Sequence, residues 1–510
     1  MRSFFISSVF LAAVGCFAIP LLEATAPNGT VAAAPGGLVT FPAAGAKDVN
    51  IDTTLKITFP SAPSIGKTGL IEIFEVGTDK LVDTLDMKKP SSPNPSGRAP
   101  GSASGATRSP PPAGPNDNEL YQTTFVGGID FHFFPVIVNG NVATLYPHNN
   151  KLAYGKSYYV KVAPEALSVA GGRFPGFTTN SAWTFSTKAA APAPGTAKVT
   201  VAADGSADFT TLQGAVDWAP EKSAQKIHIH LMNGNYTELV YINKDNLVIK
   251  GESRDKTIVG YPNNSAFNPS KGRGPSRRVA FSVYSDGVQL SSFTINNYFI
   301  GQAEGLLIQG ERNIVDHMDI NGSGDAFTTR GSIYFADSKL TGHGDTVLGY
   351  AAVFFVRSEI ECMGPFTWTR TPQGSHGNIF VNSTFTALNE PLPWSVTEGN
   401  PRGQIPKAVF SRLPQNGRGA TANFPYAEMV LINCKTKGVA PEGWGPIASN
   451  GFDTSNVHFW EYNTMDMAGK AVDTSRRTPV SKQLNAQTDA KTIADYSNPE
   501  FVLGFKPEIL

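Results

Sequence analysis

The 510-residue sequence is poor in charge, and its two signs are balanced. Charged residues make up 16% of the chain, with 42 basic and 42 acidic side chains. A basic stripe of the kind that binds nucleic acid is therefore not expected. The eight histidines include no His-Glu-x-x-His zinc motif. This composition predicts a protein without a metal or cofactor and without a nucleic-acid partner.

Long apolar runs are also rare. The one marked run lies at the N-terminus and is too short to span a membrane comfortably, which predicts a secretory signal peptide over residues 1–26. We therefore expect a secreted, extracellular protein that does not enter a membrane. Asn-x-Ser/Thr triplets fit a glycoprotein on this route; they begin at Asn28, Asn235, Asn263, Asn321 and Asn382.

The chain has only three cysteines, which excludes a dense disulfide framework. Cys16 lies within the predicted signal peptide. Cys362 and Cys434 lie at the ends of strands that an intervening repeat is expected to separate. We therefore predict two free, buried thiols.

Glycine (50) and proline (37) are abundant, and they divide the chain into short strands. Residues 38–188 read as a small β-sandwich that resembles bacterial Ig-like domains, interrupted by a Pro/Ser/Gly-rich insertion at about 88–118 that we expect to be disordered. A Pro/Ala linker over 189–197 predicts a domain boundary. The sandwich is either a spacer or a carbohydrate-binding surface.

The second unit, residues 198–505, contains a short repeat. Alternating apolar segments recur at steps of 20 or 25 residues, which is typical of a parallel β-helix, in which each coil stacks on the next. A preceding amphipathic segment predicts a short helix that covers one end of the solenoid. The repeat segments end at Ile295, Ile320, Leu340, Ile360 and Phe385.

Two aspartates within this repeat are the first candidates for catalysis. Asp325 and Asp345 are 20 residues apart, so one coil would separate them by about 4.8 Å along the stack. Like charges at that distance raise one pKa and divide the pair into an acid and a base. Gly-x-Gly-Asp sequences are also ordinary turn chemistry, so both interpretations stay open.

Further motifs occur in a fixed order over about 300 residues. They are "VAADGSADFTTLQGAVDWAP", "GNYTE", "GQAEGLLI", "GSGDAF", "GHGDTVLGYAAVFF", "PEGW" and "EYN". In this order they resemble the pectin methylesterase family of right-handed parallel β-helix enzymes. The resemblance implies that Asp345 is the nucleophile on a methyl-ester carbonyl, Asp325 the general acid/base and Gln302 an oxyanion donor.

The chain departs from the family pattern at several positions. Arg412 stands where the resemblance implies an arginine that orients the nucleophile, but the motif around it is eroded, and Arg402 and Arg418 lie close by as alternatives. Gly324 replaces the second oxyanion glutamine. His343, two residues before Asp345, is either an oxyanion donor or pKa-tuning group, or a surface imidazole beside a turn.

The family's aromatic residues after the nucleophile are absent, so sugar stacking requires other side chains. Trp368, Trp394 and Trp444 are candidates, since an aromatic face suits the apolar face of a pyranose. Trp444 lies within a family motif. Each of the three can equally be a core residue.

These observations predict an all-β enzyme with a small Ig-like sandwich followed by a right-handed parallel β-helix. We expect a monomeric, secreted pectinesterase that hydrolyses methyl esters of homogalacturonan. The departures leave two alternatives open, an esterase for a different ester and a non-catalytic glycan-binding cell-wall protein. A polysaccharide lyase is disfavoured because no dense acidic cluster suited to Ca²⁺ accompanies the coils, and a galacturonase because its motifs differ.

Overall fold

The computed structural model describes residues 37–97, 117–170, 172–272, 274–389, 408–412, 423–445 and 452–510. The predicted signal peptide therefore lies outside the described residues. Within the described residues, the helices are all too short or too polar to cross a bilayer.

The N-terminal part is built mainly from antiparallel strands, with one parallel pair between β2 and β13. Its elements are β1 (Val39–Phe41), β2 (Ala46–Val49), β3 (Leu55–Thr58), β4 (Pro63–Ile65), β5 (Leu70–Glu75), β6 (Lys80–Asp86), α1 (Asp117–Leu120), β7 (Thr123–Val126), β8 (Ile129–His132), β9 (Val136–Asn139), β10 (Val142–Leu145), β11 (Ser157–Val162), β12 (Leu167–Val169) and β13 (Thr184–Thr187).

These strands form two main sheets, in the orders β1-β3-β10-β9 and β2-β13-β11-β5-β6. Alternate residues of each strand point inward, as in Leu55 and Ile57 of β3 and Ile71 and Ile73 of β5, all of which are buried. Trp183 fills the core, and its indole N–H donates to the carbonyl of Pro42 at 2.8 Å. The predicted sandwich is present.

The C-terminal part is built from parallel strands with few helices. Its elements are β14 (Lys198–Val201), α2 (Leu212–Trp218), β15 (Ile227–Leu231), β16 (Gly234–Thr237), β17 (Val240–Ile242), β18 (Leu247–Gly251), β19 (Thr257–Tyr261), β20 (Phe281–Val283), β21 (Gln289–Ser291), β22 (Thr294–Asn297), β23 (Leu306–Asp316), β24 (Asp319–Asn321), β25 (Phe327–Ala336), β26 (Lys339–Gly342), β27 (Val347–Val356), β28 (Glu359–Cys362), β29 (Thr367–Thr369), β30 (Asn378–Val381), β31 (Thr384–Ala387), β32 (Glu428–Ile432), β33 (Lys435–Lys437), β34 (His458–Tyr462), β35 (Met465–Asp466), β36 (Ser481–Gln483), α3 (Ala490–Tyr496) and α4 (Pro499–Leu503).

Successive coils pair in register, and the fold is the predicted right-handed parallel β-helix. The long strands β23, β25 and β27 each run through two faces, and their first halves continue the short strands β17, β20 and β29. The second sheet runs from β16 to β35. The five residues that end the sequence repeat are consecutive partners in this sheet and are all fully buried: Ile295, Ile320, Leu340, Ile360 and Phe385.

Between these two sheets, the chain of each coil turns at a residue with a left-handed backbone conformation, and these residues stack in a column. The residue that follows the strand has φ between 48° and 60° in seven consecutive coils. Asn and Asp tolerate this conformation because their short side chains bond locally, which explains the polar breaks in the repeat. The column consists of Ser292, His317, Asp337, Arg357, Asn382, Asn433 and Asn463.

Helix α2 covers the first coils, as the amphipathic pattern predicts, and buries Leu212, Ala215 and Val216. Its N-terminus also receives Asp52 from the sandwich. Asp52 Oδ2 accepts from the backbone N–H and the hydroxyl of Thr211 at 2.8 and 2.9 Å. A Cβ at Gly214 would lie 2.2 Å from that oxygen, so glycine permits the close approach.

The sandwich and the β-helix share a hydrophobic cluster that includes Tyr241 and Phe299 of the helix. The insertion contributes to this contact. Residues 88–97 are described and pack on the β-helix, where Gly97 lies against the ring of Phe299 and its carbonyl accepts from Asn264 at 2.7 Å. The prediction of disorder from residue 88 onward was therefore wrong for this segment. Residues 98–116 lie outside the described residues.

The C-terminal helices α3 and α4 pack on the outer face of the coils. Glu428 of β32 is buried there and accepts from the hydroxyl of Tyr496 at 2.6 Å. The Nδ1 atoms of His376 and His458 lie 2.9 and 2.7 Å from its two oxygens. These partners hold the pKa of Glu428 at about 2 despite its burial. Cys362 and Cys434 are buried thiols that form no disulfide within the described residues, as predicted.

Candidate active site

The two candidate aspartates lie at equivalent positions of adjacent coils. Each follows a glycine, and Gly324 and Gly344 form a parallel bridge. Asp325 lies between β24 and β25 with φ 58°, and Asp345 lies between β26 and β27 with φ 45°. Both are turn residues, but their side chains do more than close the turn, because each contacts an arginine from a distant part of the chain.

Each aspartate has a different arginine. Nη1 of Arg412 donates to Oδ2 of Asp345 at 2.7 Å. Nη2 of Arg278 donates to Oδ2 of Asp325 at 3.0 Å. Of the three candidate arginines in the sequence, the structure brings Arg412 to the site, whereas Arg402 and Arg418 lie outside the described residues.

Burial opposes ionisation of both carboxyl groups. It raises the pKa of Asp345 to about 6, with help from the charge of Asp325 and against the pull of Arg412. Burial also raises the pKa of Asp325, against the guanidinium groups of Arg278, Arg370 and Arg412. The pKa of each carboxyl group therefore lies above that of an exposed aspartate, a perturbation that is common at functional sites.

Arg278 and Glu304 were not identified from the sequence, although they belong to the site. Nε of Arg278 donates to Oε1 of Glu304 at 2.6 Å, and Glu304 is completely buried. A weak signal existed, because Glu304 is a charged residue in the quoted "GQAEGLLI" segment directly before a buried strand. Arg278 carries no such signal, since it lies in an irregular segment.

Gln302 lies beside the aspartates, bridged to Gly324 and half-buried. Its backbone carbonyl accepts from the N–H of Ser265 at 3.0 Å. Gly324, which replaces the second glutamine, lies in a tightly packed turn. A Cβ at Gly324 would lie 2.7 Å from the carbonyl oxygen of Gly301, so this turn cannot carry a side chain without moving.

His343 is 3% exposed, so the surface-imidazole interpretation was wrong. Its Nδ1 lies 3.1 Å from the hydroxyl of Ser323 in the preceding coil. His343 and Asp345 do not share one face of a strand, because β26 ends at Gly342 and Asp345 has a left-handed backbone. A role as oxyanion donor or pKa-tuning group stays a prediction.

The three candidate tryptophans lie in different parts of the protein. Trp368 of β29 lies in the site, where the guanidinium carbons of Arg412 and Arg370 are 4.1 and 3.4 Å from its ring centroid. Trp444 is 0% exposed and stacks on Phe459 in the β-helix core, so its assignment to substrate binding was wrong. Trp394 lies outside the described residues.

Two other sequence expectations depend on exposure and spacing. Asn382 is exposed at a turn, whereas Asn263 is fully buried and its amide donates to two backbone carbonyls, so Asn263 cannot carry a glycan in this fold.

Among the described residues, Asp316, His317 and Asp337 lie close enough together to share a metal ion. Asp337 is already paired with Arg357 there.

Comparisons with known proteins agree with this architecture. Residues 198–385 match the family model for pectinesterases. The chain is 25% identical over 289 residues to pectinesterase/pectinesterase inhibitor 18 of Arabidopsis thaliana, covering 55% of this chain and 49% of that protein. It is 30% identical over 318 residues to a putative pectinesterase/pectinesterase inhibitor 38 of the same plant, covering 60% and 62%. The chain thus spans about half the length of the first of these relatives.

Two solved structures are similar to part of this chain. Pectin methylesterase PemA from Erwinia chrysanthemi has a TM-score of 0.49 and 20% identity, covering 61% of this chain and 98% of that one. Carrot pectin methylesterase has a TM-score of 0.48 and 20% identity, covering 62% and 95%.

The fold and the site define a parallel β-helix protein with two aspartates on adjacent coils, each paired with an arginine. Residues 198–385 of the chain are similar to the pectinesterases.

Proposed function

We propose that this protein is a secreted carboxylic-ester hydrolase that removes methyl esters from homogalacturonan, releasing methanol and a carboxylate. The observation that carries the proposal is the pair Asp325 and Asp345, buried side by side, each paired with its own arginine. The similarity of residues 198–385 to pectinesterases supports the choice of a methyl ester of pectin as the substrate. The chemistry needs no cofactor, because carboxyl groups supply both nucleophile and acid.

Asp345 is the proposed nucleophile. Arg412 favours its ionised form and aims one oxygen, while Oδ1 of Asp345 is buried without a partner among the described residues. The carboxylate of Asp345 attacks the ester carbonyl. The resulting oxyanion is stabilised by Gln302, and the C–O bond to methoxide then breaks, which leaves the sugar carboxyl joined to Asp345 as an anhydride.

Asp325 is the proposed acid and base. It gives its proton to the departing methoxide, so methanol leaves as a neutral molecule. Water then attacks the anhydride, Asp325 accepts a proton from that water, and the Asp345 carboxylate is regenerated. Each turnover consumes one ester and one water and yields methanol and a galacturonic acid residue, which ionises.

Methanol release from highly methylated pectin tests the proposal, with the wild type beside Asp345→Asn and Asp325→Asn. We expect loss of turnover in both variants, with folding and pectin binding retained, since amides replace carboxyl groups of the same shape. Wild-type turnover in Asp345→Asn would refute the nucleophile assignment.

The absence of a side chain at Gly324 favours a second candidate, hydrolysis of a different ester. The loss of one oxyanion donor typically costs about a hundred- to thousandfold in rate. Folded wild-type protein that releases no methanol from pectin, but hydrolyses acetylated sugars or aryl esters through Asp345, would establish this alternative. Pectin binding without any hydrolysis would instead indicate a glycan-binding wall protein.

A further inference from the structure

Asp325 shares its arginine with another acid. Nη2 of Arg278 lies 3.0 Å from Asp325 and 2.6 Å from Glu304, while Nε of the same guanidinium also bonds Glu304. Arg278 therefore contacts Glu304 through two nitrogens and at a shorter distance than it contacts Asp325. Arg412, by contrast, makes its ion pair with Asp345.

Glu304 itself is an unusual residue for its surroundings. It is completely buried, and Oε2 has no hydrogen-bond partner among the described residues. Its other oxygen contacts Arg278 and lies 3.4 Å from the hydroxyl of Thr328. A buried carboxyl that leaves one oxygen unpaired is costly, so a core requirement alone does not account for it.

We propose that Glu304 and Arg278 are positioning residues that set the protonation state of Asp325, with Glu304 competing for the guanidinium that would otherwise hold Asp325 ionised. This inference rests on the proposed function, in which Asp325 acts as the acid. The division of labour follows from the contacts. Asp345 has the ion pair with Arg412 and therefore loses its proton first as pH rises. Asp325 shares Arg278 with Glu304 and therefore keeps the proton that the departing methoxide needs.

The charged groups around the pair are few. Those that act on Asp325 are Arg278, Glu304, Asp345, Arg370 and Arg412. The cations favour ionisation, whereas Glu304 and Asp345 oppose it. Burial raises the pKa of both Asp325 and Glu304. The phenol of Tyr284 also faces Arg278 and Glu304, and its hydroxyl accepts from the N–H of Ser276 at 2.8 Å.

Replacing Glu304 with glutamine keeps the shape and removes the charge. The two acids contact one Nη2 atom, so they lie within about 6 Å of each other, a range in which a like charge shifts a pKa by at least about one unit. Asp325 must be protonated in the first step, so activity is lost as pH rises through its pKa. Glu304→Gln is therefore expected to move the alkaline limb of the kcat/KM profile down by about one pH unit.

Three further variants separate this role from a structural one. Glu304→Asp keeps the charge and should leave the limb near its wild-type pH. Arg278→Met removes the cation and should move the limb to higher pH, with a lower maximum. Glu238→Gln removes a carboxyl that bonds the N-terminus of α2, outside the site, and should leave the limb in place. Equal limbs in the wild type and Glu304→Gln would overturn the proposal.

A titration that needs no turnover distinguishes this inference from the proposed function. Carboxyl-¹³C resonances of aspartate in the full chain are followed against pH, and Asp325 is identified by its absence in Asp325→Asn. A downward shift of its midpoint in Glu304→Gln supports the coupling even if pectin is not the substrate. An unchanged midpoint overturns it, even if the protein releases methanol. If Glu304→Gln does not fold, the upward shift in Arg278→Met decides in the same way.

Discussion

Replacing Arg412 with glutamine removes the cation that contacts Asp345 at 2.7 Å. The pKa of Asp345 is about 6 with the arginine in place. An adjacent cation lowers a carboxyl pKa by about 1–3 units, and the Arg412 side chain is 40% exposed, so solvent screening favours the lower end. We therefore expect the pKa of Asp345 in Arg412→Gln to rise to about 7.

The nucleophile must be ionised, so activity rises as pH passes through this pKa. At pH 6 the ionised fraction should fall from about one half to about one tenth, a loss of about fivefold from ionisation alone. Misorientation of the carboxylate adds a further loss, of about tenfold or more, which persists at the pH-independent maximum. Fitting kcat/KM for methanol release across the pH range separates the two contributions.

Arg357→Gln is the matched control, because it breaks an arginine–aspartate pair at an outer turn of the same β-helix. Its acid limb should coincide with that of the wild type. An acid limb that does not move in Arg412→Gln, or that moves equally in the control, would refute the assignment of Arg412 as the partner of the nucleophile.

Other predictions concern the turn, the C-terminal helices and the docked sandwich. Gly324→Gln should destabilise the protein in urea unfolding and not raise kcat, because its Cβ meets the carbonyl of Gly301; a faster, equally stable variant would contradict this. Tyr496→Phe removes a bond to ionised Glu428 and should cost about 1.5–3 kcal/mol of unfolding free energy at pH 7. The pKa of Glu428 is lowered to about 2, so this stabilisation is present above pH 4.5 and is lost as pH falls towards 2. If the unfolding free energies of the wild type and Tyr496→Phe differ as much at about pH 2 as at pH 7, the ionic origin is contradicted. Asp52→Ala removes the carboxylate that accepts from Thr211, the N-cap residue of α2, and should cost about 1–3 kcal/mol of unfolding free energy, measured by thermal unfolding. An unchanged midpoint would show that this contact from the sandwich does not stabilise the β-helix.

Local patterns were sufficient to predict the coils and their register. Ile295, Ile320 and Leu340 became vertical neighbours because one sheet buries the same strand position in every coil. Asp325 and Asp345 came together for the same reason, since their spacing of one coil is a property of the sequence. The amphipathic spacing of α2 likewise predicted its buried face.

Exposure was not predictable in the same way. A tryptophan in a short sequence motif fits a sugar-binding surface or a core equally well, and only the packing of Trp444 on Phe459 showed that it belongs to the core. Similarly, His343 could be judged buried only after the preceding coil had placed Ser323 against it. Hydrophobic periodicity does not distinguish these cases, because both residues lie in irregular segments.

The sequence alone determined that two carboxyl groups would lie on adjacent coils, since the repeat length carries that information. Only the tertiary structure decided which cations reach them. Arg278 precedes Asp325 by 47 residues and Arg412 follows Asp345 by 67, and both lie in segments without periodicity. Their guanidinium groups arrive through packing of separate coils, and that packing determines how the two acids share their protons.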